Sequence, residues 1–506
     1  MRFHGTIASI WILSLLIAIT GCGTSTPATP TTLTTSTPPT KVNKWTWESG
    51  SNTVGSNNTG VSGVYGTLGI AAASNVPCGR ESAVSWTDSS GNLWLFGGDG
   101  YDSTGKYGYL NDLWEFNPAS KEWTWVSGAN SSGVYGGQSG VYGTLGVAAA
   151  SNVPGGRVHA VSWIDSSGNL WLFGGGGYDS KGISGELNDL WEFDPSTKEW
   201  TWVSGANAVG SRNGGASGVY GTLGVAAASN VPGGRQSAVS WTDSSGNLWL
   251  FGGSGFDSTG EKRYLNDLWE FDPSTKEWTW VSGANTVGSA YIGAFGVYGI
   301  LGVAAVGNVP GGRQSAVSWT DSSGNLWLFG GFGFDSTGEE GNLNDLWEFN
   351  PATKKWTWVS GANTLGLYDG QSGVYGTLGV AAAGNVPGGR SGAVSWIDSS
   401  GTLWLLGGGG FDSTGEDGYL NDLWEFGPST KEWTWVGGSY SIGTAFIGAM
   451  GVYGTLGVAA VYNVPGERAN AVSWTDSSGN LWLFGGFGVD STGNYGSLND
   501  LWKYQP

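Results

Sequence analysis

Six arginines, Arg80, Arg157, Arg235, Arg313, Arg390 and Arg468, close successive copies of an N-V-P-G-G-R-like stretch at spacings of 77, 78, 78, 77 and 78 residues. A guanidinium stays charged and presents a planar fork of donors matched to carboxylate, phosphate or sulfate. Six of them around one axis would make an anion site. The same repeat also supplies aspartates, Asp112 in N-D-L-W and Asp102 in D-S-T-G in the first copy. With 40 acidic against 21 basic residues, pairing of each arginine with such an aspartate is the favoured outcome. The aspartates do not read as a calcium site, because calcium needs several convergent oxygens and no D-x-D-x-D-G spacing occurs. Only two cysteines, Cys22 and Cys78, and two histidines are present, so a cysteine-based metal site is excluded and neither metal nor cofactor is expected. Catalysis usually breaks symmetry by placing one acid or base in a tuned setting. The departures from the repeat are Cys78 and Glu467 for glycine, His159 for serine and Lys503 for glutamate. None forms a recognisable acid–base pair, and His159 reads as a serine replacement in a strand.

The elements that carry these residues are short strands. In the second copy, Arg157 to Trp163 and Asn169 to Gly175 flank an Asp/Ser/Gly turn and read as a β-hairpin. Leu187 to Phe193 follows, then a Pro-Ser-Thr turn and Glu199 to Val203. Four strands per unit result, termed first to fourth below. All tryptophans but Trp11 fall on them, which assigns those rings to the core between units rather than to a sugar platform. The W-T-W triplet begins at Trp45, Trp123, Trp200, Trp278, Trp356 and Trp433, so one triplet precedes the first arginine and none follows the last. The N-terminal triplet is therefore placed to complete the final unit. The fold expected is all-β: a six-bladed β-propeller of four-stranded antiparallel blades over 44–506, its last blade closed by the N-terminal strand.

The arginine opening the first strand, then L-W-L-F-G-G, N-D-L-W-E-F and a tryptophan strand, resemble the Kelch repeat in every blade. That resemblance implies a propeller of four-stranded blades. The units here are longer than the roughly 50 residues of that repeat. Each of the first five arginines lies 43 residues before the following W-T-W, so the excess sits between the fourth strand and the next arginine. Some Kelch-like propellers are enzymes, among them copper radical oxidases of the galactose oxidase type and sialate mutarotases. The copper chemistry needs histidine ligands that this chain lacks. A mutarotase of carboxylates and arginines stays open.

Antiparallel strands put the first–second and third–fourth turns on one side of the ring and the second–third and fourth–first loops on the other. The first pair barely varies between copies, whereas the second is long and carries most of the variation, from Asn57-Asn58-Thr59 to Ala290-Tyr291-Ile292. The second halves of the long loops, V-Y-G-T-L-G-V-A-A-A, are apolar enough to pack as a ledge. The varied rim is rich in Tyr, Phe, Gly, Ser and Asn, a composition suited to adaptable recognition. The candidate ligand-binding face comprises Tyr101, Tyr109, Tyr178, Phe256, Tyr264, Phe334, Phe411 and Tyr419 with the six arginines. The alternative is that these aromatics fold back onto the ledge. The reading adopted from sequence is a non-enzymatic binding or adhesion module for a protein or glycan. A propeller enzyme acting on a carbohydrate is the alternative, and a structural envelope protein a third.

Residues 1–21 read as a lipoprotein signal peptide, with Arg2 before a short apolar run and a lipobox-like Ile19-Thr20-Gly21-Cys22. Lipid on Cys22 would anchor the chain to a membrane of a bacterial envelope, facing outside the cytoplasm. Residues 22–43, rich in Thr, Pro and Ser, read as an extended stalk. A net charge of -19 argues against nucleic acid as a partner.

Overall fold

The computed structural model describes residues 44–55, 60–133, 136–287, 294–366, 369–442 and 449–506. The expected signal peptide, Cys22 and the stalk lie outside the described residues, as do Asn57 to Thr59 and Ala290 to Ile292. Six blades, each with four antiparallel strands, form the propeller; in blades 2 and 5 the arginine strand joins the same sheet as a fifth. In blade 1 the strands are Val84–Thr87, Leu93–Phe96, Leu113–Asn117 and Glu122–Ser127. In blade 6 they are Val472–Thr475, Leu481–Phe484 and Leu501–Gln505, with Lys44–Ser49 as the fourth. That last strand pairs Trp45 with Tyr504 and Trp47 with Trp502, so the N-terminal segment completes the sixth blade as expected.

Alternation dictates the packing. In the first strand Val84 and Trp86 are buried between blades, while Ser85 and Thr87 face the channel. The second strand, Leu93–Phe96, is buried on both faces because a blade covers each side. Each first-strand tryptophan donates its indole N–H to a main-chain carbonyl of the next blade: Trp86 to Trp171, and so on round to Trp474, which reaches Trp94 at 3.0 Å. A second circle runs through the serines, each Oγ donating to the preceding blade's serine carbonyl, from Ser162 to Ser85 and finally from Ser85 to Ser473. These circles close without a gap.

Two features differ from the sequence reading. The first strand is not continuous from the arginine. Arg157–Val158 and Val161–Ile164 are separate strands, with His159 between them in the left-handed region at φ 52°. Ser82, Ser237, Ser315, Gly392 and Asn470 take the same conformation in the other blades. The second–third connection is also no simple loop. After the Gly97-Gly98 bulge, Asp99–Tyr101 and Tyr107–Tyr109 form a hairpin that pairs with Arg80–Glu81, giving each blade an inner extension above the channel.

The long fourth–first connection carries the third difference. Its V-Y-G-T-L-G half folds as a hairpin, Val64 paired with Val76, along the outer edge of the blade. Gly69 N–H donates to the Trp125 carbonyl and Ala72 N–H to that of Trp123. The hairpin thus occupies the edge strand, which would otherwise template aggregation. Its tip is not packed: Leu68 and Ile70 are 53% and 58% exposed. The expected ledge is an outer wall with apolar tips, whereas described residues of the divergent first halves, such as Gly137, Gly215 and Gly370, bridge to the inner hairpins at Tyr109, Glu186 and Asn342.

Candidate functional site

The arginines are removed from any ligand. Arg80 forms a bidentate pair with Asp112, Nη1 to Oδ1 and Nη2 to Oδ2, both 2.7 Å, and donates also to the Gly97 carbonyl. Tyr65 Oη and Trp114 Nε1 complete the shell of Asp112 Oδ2. The arrangement repeats at Arg157–Asp189, Arg235–Asp267, Arg313–Asp345, Arg390–Asp422 and Arg468–Asp500, with every partner at most 2% exposed. A buried charge is tolerated only when paired and hydrogen-bonded. These networks tie the arginine stretch to the third strand, so the six arginines are withdrawn from the candidate face. The D-S-T-G aspartates are equally occupied. Burial alone would raise Asp102, but hydrogen bonds from Thr104, Ser132 and Lys106 outweigh it and hold the carboxyl at about 2.

The aromatic candidates divide. Phe334 and Phe411 are buried at 2% and 5% exposure and are corrected from surface to packing residues. Tyr101, Tyr178 and Phe256 are half-buried, each lying over a loop glycine, as Tyr178 does over Gly137, where a Cβ would sit 2.1 Å from the ring. This is the folding-back that the sequence left open. Tyr109, Tyr264 and Tyr419 stay half-exposed on alternate blades, each against an aromatic of the next: Tyr178, Phe334 and Phe487 respectively.

The inner hairpins surround a funnel whose throat is a closed circle of main-chain bonds. His159 N–H donates to the Ser82 carbonyl, Ser237 to His159, Ser315 to Ser237, Gly392 to Ser315, Asn470 to Gly392 and Ser82 to Asn470. Below it the channel widens to about 370 Å³, lined by the serine, tryptophan and Thr/Ile positions of the first strands. Burial pushes His159 down to about 4, and Ser82 Oγ lies 3.1 Å from its Nε2, so this imidazole is a neutral part of the throat.

Symmetry breaks at the residue after each arginine and the residue opposite it. The pairs are Glu81–Asp99, Val158–Gly176, Gln236–Ser254, Gln314–Phe332, Ser391–Gly409 and Ala469–Phe487. Two carboxylates face each other in blade 1 alone. Directly opposed residues on adjacent strands lie about 5 Å apart at Cβ. Burial, and then the charge of Asp99, carries Glu81 from 4.5 up to about 7. Burial also raises Asp99, although Tyr107 Oη donates to its Oδ2 at 2.5 Å. Asn470 Nδ2 approaches Glu81 Oε2 at 3.4 Å, and Asp99 Oδ1 is buried with no side-chain hydrogen-bond partner among the described residues. A carboxyl near 7, a second carboxyl and a phenol at a funnel mouth can give and take a proton at neutral pH.

Sequence reasoning missed this pair. The usable signal was Glu81, an acid at a position where the other copies carry Val, Gln, Gln, Ser and Ala. The departures singled out instead are structural. Glu467 is 1% exposed and braced by Tyr495 Oη and the Ala449 N–H, and Cys78 is fully buried against Arg80. No group of three or more metal-ligating side chains occurs among the described residues.

No family model matches the chain. It is similar to curated proteins named N-acetylneuraminate epimerase. The similarity is 27% identity over 181 residues to that of Escherichia coli O1:K1 / APEC, covering 35% of this chain and 49% of that protein. The proteins of E. coli K12 and Shigella sonnei Ss046 are each 28% identical over 190 residues, with the same shares covered. The chain thus spans about half the length of the curated relatives it matches. A solved structure titled "Structure of YjhT" aligns over 86% of this chain and 95% of that one, at 15% identity and a TM-score of 0.46. The relatives are named as enzymes, which overturns the non-enzymatic reading of the sequence.

Proposed function

We propose that the chain is an enzyme acting on a carbohydrate, interconverting the two forms of a sugar at its anomeric carbon at the funnel mouth. The observation that carries this is the Glu81–Asp99 pair, one site in six with two opposed carboxylates and one of them held near 7. The name of the relatives, an epimerase of N-acetylneuraminate, supports the choice of a sugar and of a proton-transfer reaction. One carboxyl donates a proton to the ring oxygen while the other takes the proton of the anomeric hydroxyl. The bond from the anomeric carbon to the ring oxygen breaks and a carbonyl forms. Rotation about the neighbouring bond and the reverse transfers close the ring in the other configuration. No redox change or cofactor is required, and both protons return to where they began. Because Glu81 titrates near 7, it is available in either state at neutral pH.

Exchange NMR on N-acetylneuraminate and on neutral reducing sugars tests this. The folded chain should accelerate anomer exchange of at least one of them, and Glu81→Gln should slow it by about 10²-fold or more. We also propose that Cys22 carries lipid and holds the enzyme in the bacterial envelope outside the cytoplasm. Palmitate labelling of the chain, absent in Cys22→Ser, is the expected result.

A further inference from the structure

On the far side of Tyr109 from the acid pair, the inner hairpins of blades 2 and 3 part to leave a cleft of about 340 Å³. Its size is at the lower end of small-molecule sites. The floor is bare backbone, because Gly176 stands where Asp99 stands in blade 1 and Phe332 in blade 4. A Cβ at Gly176 would come within 2.5 Å of Gln236 Oε1, so any side chain there would fill the cleft. Tyr109 and Tyr178 form one wall, ring centroids 6.0 Å apart.

The polar groups are specific. The Glu186 side chain is 7% exposed, and its Oε1 accepts from Lys262 Nζ at 2.5 Å. Its Oε2 is buried and has no hydrogen-bond partner among the described residues. Leaving a buried acceptor of a charged group unmade is costly, so Oε2 is an acceptor that a ligand hydroxyl entering the cleft can satisfy. Lys262 is 39% exposed and has three N–H donors, of which Glu186 takes one. A carboxylate accepting beside an ammonium donating, next to aromatic rings, fits two adjacent hydroxyls of a sugar. One hydroxyl donates to Glu186 Oε2, its neighbour accepts from Lys262, and the apolar face of the ring lies on tyrosine. Arg212 and Asn213 line the exposed rim of the cleft, but a group seated on its floor with anionic oxygens would set them against Glu186 Oε2, so the ring held there is neutral.

We infer that this cleft is a second sugar subsite, for a neutral hexose bearing adjacent hydroxyls, and that the natural substrate is a reducing oligosaccharide. The link between the two rests on the carbohydrate reading of the acid pair, whereas the cleft's own ligand is independent of it.

Titration calorimetry on the folded chain tests it, using methyl glycosides of glucose, galactose and mannose, each beside an analogue lacking one of the adjacent hydroxyls. One glycoside should bind saturably at one site per chain, and its deoxy analogue should not. Glu186→Gln and Lys262→Met should each weaken binding at least tenfold. Lys262 lies on the exposed side of the pair, so its variant keeps the test sound if Glu186→Gln lowers the unfolding temperature. Absence of saturable binding by all three, or binding untouched by both variants, overturns the subsite. With a reducing disaccharide of the bound hexose, Glu186→Gln should raise KM with kcat held, while Glu81→Gln lowers kcat. Binding without turnover would sink the enzyme reading alone, and turnover with neither binding nor a KM change would sink the subsite alone.

Discussion

Replacing Trp45 with alanine probes how the ring is closed. Trp45 is 6% exposed, with ring centroids 6.3 Å from Trp396, 6.4 Å from Trp502 and 4.9 Å from Tyr504. It therefore packs against both blade 5 and blade 6. About 200 Å² of indole at about 25 cal/mol/Å² gives about 5 kcal/mol of transfer free energy. Core Trp→Ala changes cost about 3–5 kcal/mol. Trp123 occupies the same position in blade 1 at 1% exposure, so Trp123→Ala is the matched control. Urea denaturation followed by far-ultraviolet circular dichroism should show comparable losses of about 3–5 kcal/mol for the two variants. Deleting Lys44–Ser49 should cost more. It also unpairs Leu501–Gln505 and strips the Gly457 and Ala460 N–H groups of the Trp47 and Trp45 carbonyls, giving an aggregation-prone edge. A Trp45→Ala loss below about 1 kcal/mol beside a full loss for Trp123→Ala would refute closure by this strand.

Asp112→Asn leaves the Arg80 guanidinium buried without a counter-charge and should cost about 3–5 kcal/mol in the same denaturation assay. Glu270→Gln at the exposed pair with Lys354 should cost under about 1 kcal/mol, and equal effects would count against the buried networks. Glu81 holds its proton more tightly folded than unfolded, so the folded state loses stability as pH rises from 4.5 to about 7. Glu81→Gln should match the parent below that window and exceed it above by at most about 3 kcal/mol, whereas a pH-independent difference would contradict the raised value. Burial pushes the Cys78 thiol up to about 11, so iodoacetamide should label it only after unfolding, and rapid labelling of the native chain would be the contrary result.

The architecture was legible because every blade repeats the same strand and turn tokens, and because the offset of W-T-W from the arginines has one geometric meaning. The D-S-S-G turn shows the physics: Asp88 Oδ1 accepts the Ser90 and Asn92 N–H groups, and Oδ2 accepts from Trp94 Nε1. The pairing of the arginines followed from charge balance. The outer hairpin was misplaced because apolar composition suggested burial. What fixes it is main-chain bonding to Trp123 and Trp125, which leaves no mark on side-chain pattern. The inner hairpin was hidden by Gly97-Gly98, which read as the end of a strand and is a bulge within it. Glu81 and Asp99 were overlooked for a similar reason. Each stands at a position that varies among the copies, and only the strand register sets one against the other.

The most direct measurement is the anomer exchange rate of N-acetylneuraminate and neutral reducing sugars at pH 7, by exchange NMR, with parent and Glu81→Gln chains both fully folded at the assay temperature. The account predicts acceleration by the parent on at least one sugar and a fall of about 10²-fold or more in the variant. A parent rate equal to buffer on all of them, or a Glu81→Gln rate equal to the parent, would contradict it.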